Sequence, residues 1–370
     1  MRVKLEEVCK RIYAGGDVPK DRYSEMKTDK YSVPIYANAE KNDGLYGYTD
    51  KAREKELSIT VAARGTIGFT VIRREPFLPV IRLITVVPDT KKVSERYLYY
   101  VLKNCKPQFS GTSIPQLTVP DIKKNSLELY NTSEQIKIAD RLDKISKIIE
   151  LRKQELSALD NLIKARFVEM FGDVIHNNRK WKCKQFSDIT SSRLGKMLDT
   201  KHQTGTCKYP YLANFNVQWF RFELANLNEM DFNEKDRKEF CLEDGDLLVC
   251  EGGEIGRCAV WHNQVKKCFF QKALHRVRCN QDIILPDYLS WWFKYNCENG
   301  GFAAIEGAKA TISHLTGAKM KMLDVTVPPI ELQEQFVDFI HQVDKSKVKV
   351  QKALDETQKL FDSLMQQYFG

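Results

Sequence analysis

The 370-residue sequence lacks the signatures that mark most enzymes. It has no Gly-x-x-x-x-Gly-Lys-Ser/Thr loop to cradle nucleotide phosphates, and no Gly-x-Gly-x-x-Gly after a strand to hold a dinucleotide. It also lacks His-Glu-x-x-His and any His and Cys cluster at metal-ligand spacing, so no catalytic residue and no metal ligand is assigned. Its ten cysteines include no Cys-x-x-Cys pair, and eight of them lie irregularly between Cys183 and Cys297. That pattern predicts buried thiols in a reducing compartment, against a disulfide frame or a zinc site. No apolar run is long enough to span a bilayer, and Met1 to Arg11 alternates charge with apolar residues where a signal peptide would be continuously hydrophobic. A soluble, cytoplasmic chain with no membrane partner is the expectation.

What the sequence does contain is itself twice. Val33, Pro34, Ile35, Tyr36, Ala37, Asn38 is answered by Tyr209, Pro210, Tyr211, Leu212, Ala213, Asn214. The apolar run Ile59 to Val61 enters the turn Gly65, Thr66, Ile67, Gly68, and Leu247 to Val249 enters Gly253, Glu254, Ile255, Gly256. Tyr97, Leu98 and Lys103 match Tyr288, Leu289 and Lys294, and Gly111 to Thr118 matches Gly307 to Thr316. Glu134 and Gln135, matched to Glu334 and Gln335, begin long helical patterns that stop at Phe171, Gly172 and at Phe369, Gly370. Ordered recurrence on this scale predicts two equivalent structural units.

The terminal pattern of each copy is a coiled-coil seam. Apolar residues fall at Ile138, Leu142, Ile145, Ile149, Leu156, Leu159 and Ile163, with a seven-residue step over Arg152. The second seam runs through Phe336, Ile340, Val343, Val350, Leu354, Phe361 and Leu364, interrupted at Lys347 and Thr357. Thr132 or Ser133 is the expected cap of the first helix, and Pro328 with Pro329 precede the second. Two exposed stripes in one chain are most simply buried against each other, antiparallel, with the polar interruptions setting register. At 1.5 Å per residue such a helix spans roughly 57 Å.

The intervening segments read as α+β (mixed α/β) domains. Strands are expected at 58–62, 69–72, 83–87, 246–250, 258–261 and 275–277, and short helices at 97–103 and 288–294. The predicted division is 1–131 and 173–329 for the globular domains, with helices at 132–172 and 330–370. A net charge of +9 supports a polyanionic partner, although a solvated charged face gives the same count. Candidate DNA-contacting residues in the first copy are Arg64, Thr66, Arg73, Arg74, Thr112, Ser113 and Gln116. In the second they are Asn216, Gln218, Trp219, Arg221, Lys272, Lys309, Thr311, Ser313 and His314. They combine cations for phosphates with amides, hydroxyls and rings for base edges.

Paired domains, repeated heptad helices, a Gly-x-Ile-Gly turn in each copy and the lead into Glu-Gln together resemble the specificity subunit of type I DNA restriction-modification enzymes. The resemblance covers nearly the whole chain, most specifically 126–172 and 325–370; Asn131, Thr132 and Ser133 stand where the second copy has Pro328 and Pro329. It implies two target-recognition domains related by a pseudo-two-fold repeat, each reading half of an asymmetric bipartite site in double-stranded DNA. It implies further that the helices set the spacing and dock two methyltransferase subunits, with restriction and translocase subunits joining them. S-adenosylmethionine, ATP and magnesium would then belong to those partners, and this chain would carry no cofactor. A specificity subunit of another restriction class and a coiled-coil adaptor that does not bind DNA are the competing readings.

Overall fold

The computed structural model describes residues 1–105, 116–198, 205–303 and 314–370. It divides into two units, Met1–Glu155 with Val350–Gly370, and Leu156–Lys349. The 40-residue helices Thr132–Phe171 and Ile330–Phe369 each contribute to both. The cap of the first is Asn131, whose Oδ1 accepts from Glu134 N at 2.9 Å, and not Thr132 or Ser133. An asparagine outside the helix reaches the third free N–H, whereas Thr132 and Ser133 already lie in the first turn. Gly172, at φ +73°, ends the helix in the left-handed conformation. Among the described residues no helix is long and apolar enough to cross a membrane.

In the first unit a four-stranded antiparallel sheet is ordered Cys9–Ala14, Ile84–Pro88, Ser58–Val61, Thr70–Arg73. A three-stranded sheet holds Val33–Tyr36 between Leu45–Thr49 and a parallel partner, Leu78–Pro79. The second unit repeats both. Its four-stranded sheet is ordered Thr190–Leu194, Leu274–Cys279, Leu247–Cys250, Cys258–Val260. Its three-stranded sheet holds Lys208–Leu212 between Asn228–Asp231 and the parallel Phe269–Phe270. Each unit also has a short antiparallel pair at its base, Arg2–Lys4 with Ser126–Glu128 and Lys182–Gln185 with Asp324–Val327. These strands of three or four residues alternate charge too weakly to be visible in the sequence. Each outer strand runs into a glycine crossed closely by another backbone. A Cβ on Gly15 would lie 2.7 Å from Pro79 carbonyl atoms, and one on Gly195 would lie 2.2 Å from the Gln271 oxygen.

A helix start and a helix end close each unit. In the first, Ile138 and Leu142 are buried, as are Phe361 and Met365, and Phe369 packs on the buried Tyr97 at 5.3 Å between ring centroids. In the second, Phe336, Ile340 and Val343 are buried with Ile163, Phe167 and Phe171, and Phe171 packs edge-on against Tyr288 at 4.8 Å. A fully buried phenylalanine of this kind stabilises by about 1.5–3 kcal/mol. Ile149 and Leu354 are buried, whereas Ile145, Leu156, Leu159, Val350 and Leu364 are half-buried. The segments are antiparallel: in the first unit Arg141 donates to Tyr368 Oη at 2.9 Å and Arg152 reaches Thr357. In the second, Lys347 pairs with Asp160 at 2.7 Å. The apolar stripe continues to Phe167 and Phe171 in one helix and to Met365 and Phe369 in the other, past the ends of the sequence-derived seams.

The Glu-Gln landmark is corrected by two residues in the second copy. Gln135 Nε2 donates to the carbonyls of Lys92 (3.1 Å) and Tyr130 (2.8 Å), while its Oε1 accepts from Ser94 N at 2.8 Å. Gln333, not Gln335, repeats this: Nε2 donates to Ile283 (3.0 Å) and Pro328 (2.9 Å), and Oε1 accepts from Leu285 N at 2.9 Å. Both amides are fully buried, whereas Gln335 is exposed. The Gln333 alignment brings Ile138 onto Phe336, Ile149 onto Lys347, Arg152 onto Val350 and Leu159 onto Thr357. Each polar interruption in one seam therefore aligns with an apolar residue of the other copy.

Candidate nucleic-acid interface

In each unit an asparagine braces a glycine turn, and in the first it also ties that turn to a second one. In the first, Asn38 Oδ1 accepts from Ala63 N at 2.8 Å, and its amide donates to the Ile81 carbonyl. Ile81 and Arg82 have φ of +50° and +60°, a sharp reversal that leaves both exposed. Leu117 N donates to Ala63 O at 2.9 Å, which brings Gln116 beside Arg64. Gln116 Oε1 accepts from Arg64 Nε at 3.2 Å and Nη2 at 2.9 Å. Thr66 is exposed on the following turn, where Gly65 and Gly68 have φ of +68° and +84°.

The second unit builds the corresponding corner differently, its two turns joined by a backbone bond from Glu251 N to Ala273 O at 2.9 Å. Asn214 Nδ2 donates to Gly252 O at 3.2 Å, and Leu315 N donates to Glu251 O at 2.8 Å. Lys272 and Ala273 occupy the places of Ile81 and Arg82, with Lys272 exposed and Ala273 at φ +89°. Arg257 Nη2 donates to the Asn214 carbonyl at 3.2 Å. His314 lies against Gly252 so closely that a Cβ there would come within 3.0 Å of its ring. Where the first unit has an arginine reaching an amide, the second has a glycine covered by an imidazole.

These corners gather Arg64, Thr66 and Gln116 in one unit and Lys272 and His314 in the other. Among the described residues, Arg64, Arg82 and Lys272 have no carboxylate ion pair, and each is exposed. The groove along each outer strand offers a contrast. Several of its cations are internally neutralised: Arg11 by Glu54 and Glu56 at 2.9 Å, Lys196 by Asp236 at 2.5 Å, and Arg193 by Glu239, whereas Arg53, Lys123, Lys235 and Lys321 in the same grooves have no such partner among the described residues. An uncompensated cation attracts a polyanion; a paired one must first exchange its partner.

Several sequence candidates lie elsewhere. Arg73 is buried, donates to Thr60 Oγ1 at 3.2 Å and to the Asp43 carbonyl, and lies 3.5 Å from the Tyr36 ring centroid. Burial lowers its pKa, and burial followed by the Glu75 hydrogen bond pushes Tyr36 up to about 12. At the end of Thr70–Arg73 its side chain turns inward, so it is corrected from DNA contact to internal support. Asn216 is corrected likewise: buried, it accepts from Ala213 N at 2.9 Å and donates to Glu223 O at 2.8 Å, closing its own loop. Trp219 is packed against the core of its unit with Lys294 Nζ 4.4 Å from its ring centroid. Arg74 pairs with Glu95 at 3.3 Å, Arg221 pairs with Glu223, and Gln218 donates to the Phe215 carbonyl at 3.0 Å. Thr112, Ser113, Lys309, Thr311 and Ser313 lie outside the described residues. Sequence reasoning passed over Arg82 and Arg257; Asn38 and Asn214, matched in the repeat, were the signal that each braces the glycine turn of its unit.

The sequence matches the family described as Type I restriction modification DNA specificity domain over residues 1–161 and again over 178–357. S.MpnORF507P of Mycoplasma pneumoniae, a type I specificity subunit by its assigned name, is 34% identical over 164 residues, 41% of this chain and 45% of that protein. S.MpnORF89P of the same organism, similarly named, is 33% identical over 171 residues, 43% of this chain and 50% of that protein. The chain thus spans about half the length of these curated relatives. The crystal structure of a type I restriction-modification S subunit from M. genitalium shares the fold over all of this chain and 96% of its own, with a TM-score of 0.58 at 14% identity. A chain from a structural study of complex assembly and conformational transition in the type I system has a TM-score of 0.62 at 13% identity, covering 100% and 97%. With the repeated match extending over both copies, the chain belongs to the type I restriction-modification DNA specificity family.

Proposed function

We propose that this chain is the DNA sequence-specificity subunit of a type I restriction-modification complex, with recognition domains at 1–131 and 173–329 that each read one half of an asymmetric bipartite site. The observation that carries this is the pair of corresponding corners, each braced by an asparagine: one backbone frame, built twice, presents Arg64 and Gln116 in one copy and Gly252 and His314 in the other. A shared frame with unlike side chains suits two readers of unlike sequences. The segments 132–172 and 330–370 would set the gap between half-sites and dock two methyltransferase subunits, with restriction and translocase subunits joining that core. S-adenosylmethionine, ATP and magnesium would be used by those partners.

Mapping modified bases in host DNA, with and without this chain, tests the reading. A two-part motif with a fixed gap that disappears with the chain is expected; modification that persists unchanged overturns it.

A further inference from the structure

We infer that Arg64, held by Gln116, reads a guanine in the half-site addressed by the first unit. This rests on the DNA-recognition reading above and assigns a base to one of its residues. Both donors on one side of the guanidinium, Nε–H and one Nη2–H, converge on the single oxygen Gln116 Oε1 at 3.2 and 2.9 Å. That fixes the plane of the group and leaves its far edge, the Nη1 and remaining Nη2 hydrogens, as a parallel pair of donors. A guanine presents two adjacent acceptors, O6 and N7, in the major groove, and a parallel donor pair matches them; adenine offers a donor beside its acceptor and does not.

The surroundings agree with this role. Arg64 is exposed and its side-chain partner is a neutral amide, while Arg11, Arg22, Arg74 and Arg96 of the same unit all pair with carboxylates. Its charge is therefore uncompensated and its orientation defined. Arg82, exposed on the neighbouring turn that Asn38 ties to this one, supplies a second cation for the adjoining phosphates. The corresponding place in the second unit is Gly252, covered by His314. The guanine contact thus has no equivalent in the other half-site, which makes it a source of the target's asymmetry. Gln116 is a positioning residue.

The test selects bound sequences from a randomised duplex pool with the full chain in the complex it forms in its host, and repeats this for Arg64→Ala, Arg64→Lys and Gln116→Leu. The natural chain is expected to enrich a bipartite motif with guanine at one position that Arg64→Ala relaxes roughly five- to hundredfold, every other position being kept. Arg64→Lys retains charge without the planar fork and should lose much of the same preference. Gln116→Leu should weaken preference at that position alone. Replacing this guanine by 7-deazaguanine, which lacks the N7 acceptor, should penalise the natural chain and leave Arg64→Ala unaffected. If Arg64→Ala weakens all sequences equally and lowers the salt dependence by about one phosphate contact, Arg64 binds backbone and the inference fails. An unchanged motif in every variant also overturns it while leaving the specificity-subunit reading intact. A natural complex that enriches no motif removes that reading and the guanine assignment together.

Discussion

Arg152 of the first long helix donates to Thr357 Oγ1 of the second, and to the Ala353 carbonyl one turn away. These two residues are the interruptions of their apolar stripes, so the polar gaps meet each other. Such a pair favours one register over neighbours that would bury the guanidinium against aliphatic side chains. Thr357→Val should destabilise by about 1–2 kcal/mol in denaturant unfolding, because a half-buried cation loses an acceptor. Arg152→Leu combined with Thr357→Val should restore most or all of that loss, relative to the two single variants. Additive losses in the double variant would show that the two residues are not coupled.

Gln135 and Gln333 each hold three backbone groups, and Gln335 holds none of the equivalent ones. Gln135→Leu and Gln333→Leu should each cost about 3 kcal/mol or more, since buried carbonyls and an N–H are left unpaired. Gln335→Leu should stay within about 0.5 kcal/mol of the natural chain. Comparable losses at Gln333 and Gln335 would contradict the corrected repeat.

His275 is buried opposite Leu194, 4.0 Å from Glu251. Burial lowers its pKa, with the Glu251 carboxylate pulling more weakly the other way. The fold therefore keeps the imidazole neutral while the unfolded chain takes up a proton. Its contribution is complete above about pH 6.5 and is lost as pH falls from there through the folded-state value. His275→Ile, which installs the residue found at the equivalent Ile84, should flatten the stability profile across that range. A profile identical to that of the natural chain would assign the acid sensitivity to other groups.

The thiols sort by burial. Cys9, Cys105, Cys268 and Cys279 are pushed up to about 12, chiefly by desolvation, whereas Cys183 is exposed. Brief alkylation of the native protein near pH 8, followed by peptide mass spectrometry, should label Cys183 first and leave the four others largely unmodified until denaturant is added. Early labelling of Cys105 or Cys268 would refute this order.

Much of the frame was legible from the sequence because it rests on local signals. Strands at Ser58–Val61 and Ile84–Pro88 are dense in β-branched residues, Leu247–Cys250 is a continuous apolar run, and all three end within a residue or two of their expected limits. The long helices announce themselves by period and by the Phe-Gly stop at Phe171 and Gly172. What was illegible depends on which way a polar group faces. Arg73 and Arg74 are adjacent and alike in sequence, yet the end of the strand buries one over Tyr36 and sends the other out to Glu95. Gln333 and Gln335 differ by two helical positions, a rotation that separates a buried tie from an exposed side chain and that no composition records. The corners were half visible: Arg64 and Lys272 stood out as cations, but the asparagine that braces each glycine turn acts through backbone atoms.

The same is true of the buried glutamines, and it bears on how such chains diversify. Gln135 and Gln333 belong to the long helices, while their partners at Lys92, Ser94, Ile283 and Leu285 belong to the preceding domains; every one of those partners is a carbonyl or an N–H. A tie made only to peptide groups is indifferent to the side chains those groups carry. The side chains at Lys92, Ser94, Ile283 and Leu285 can therefore change without disturbing these ties, whereas the ring pairs Phe369 with Tyr97 and Phe171 with Tyr288 must be kept or replaced together.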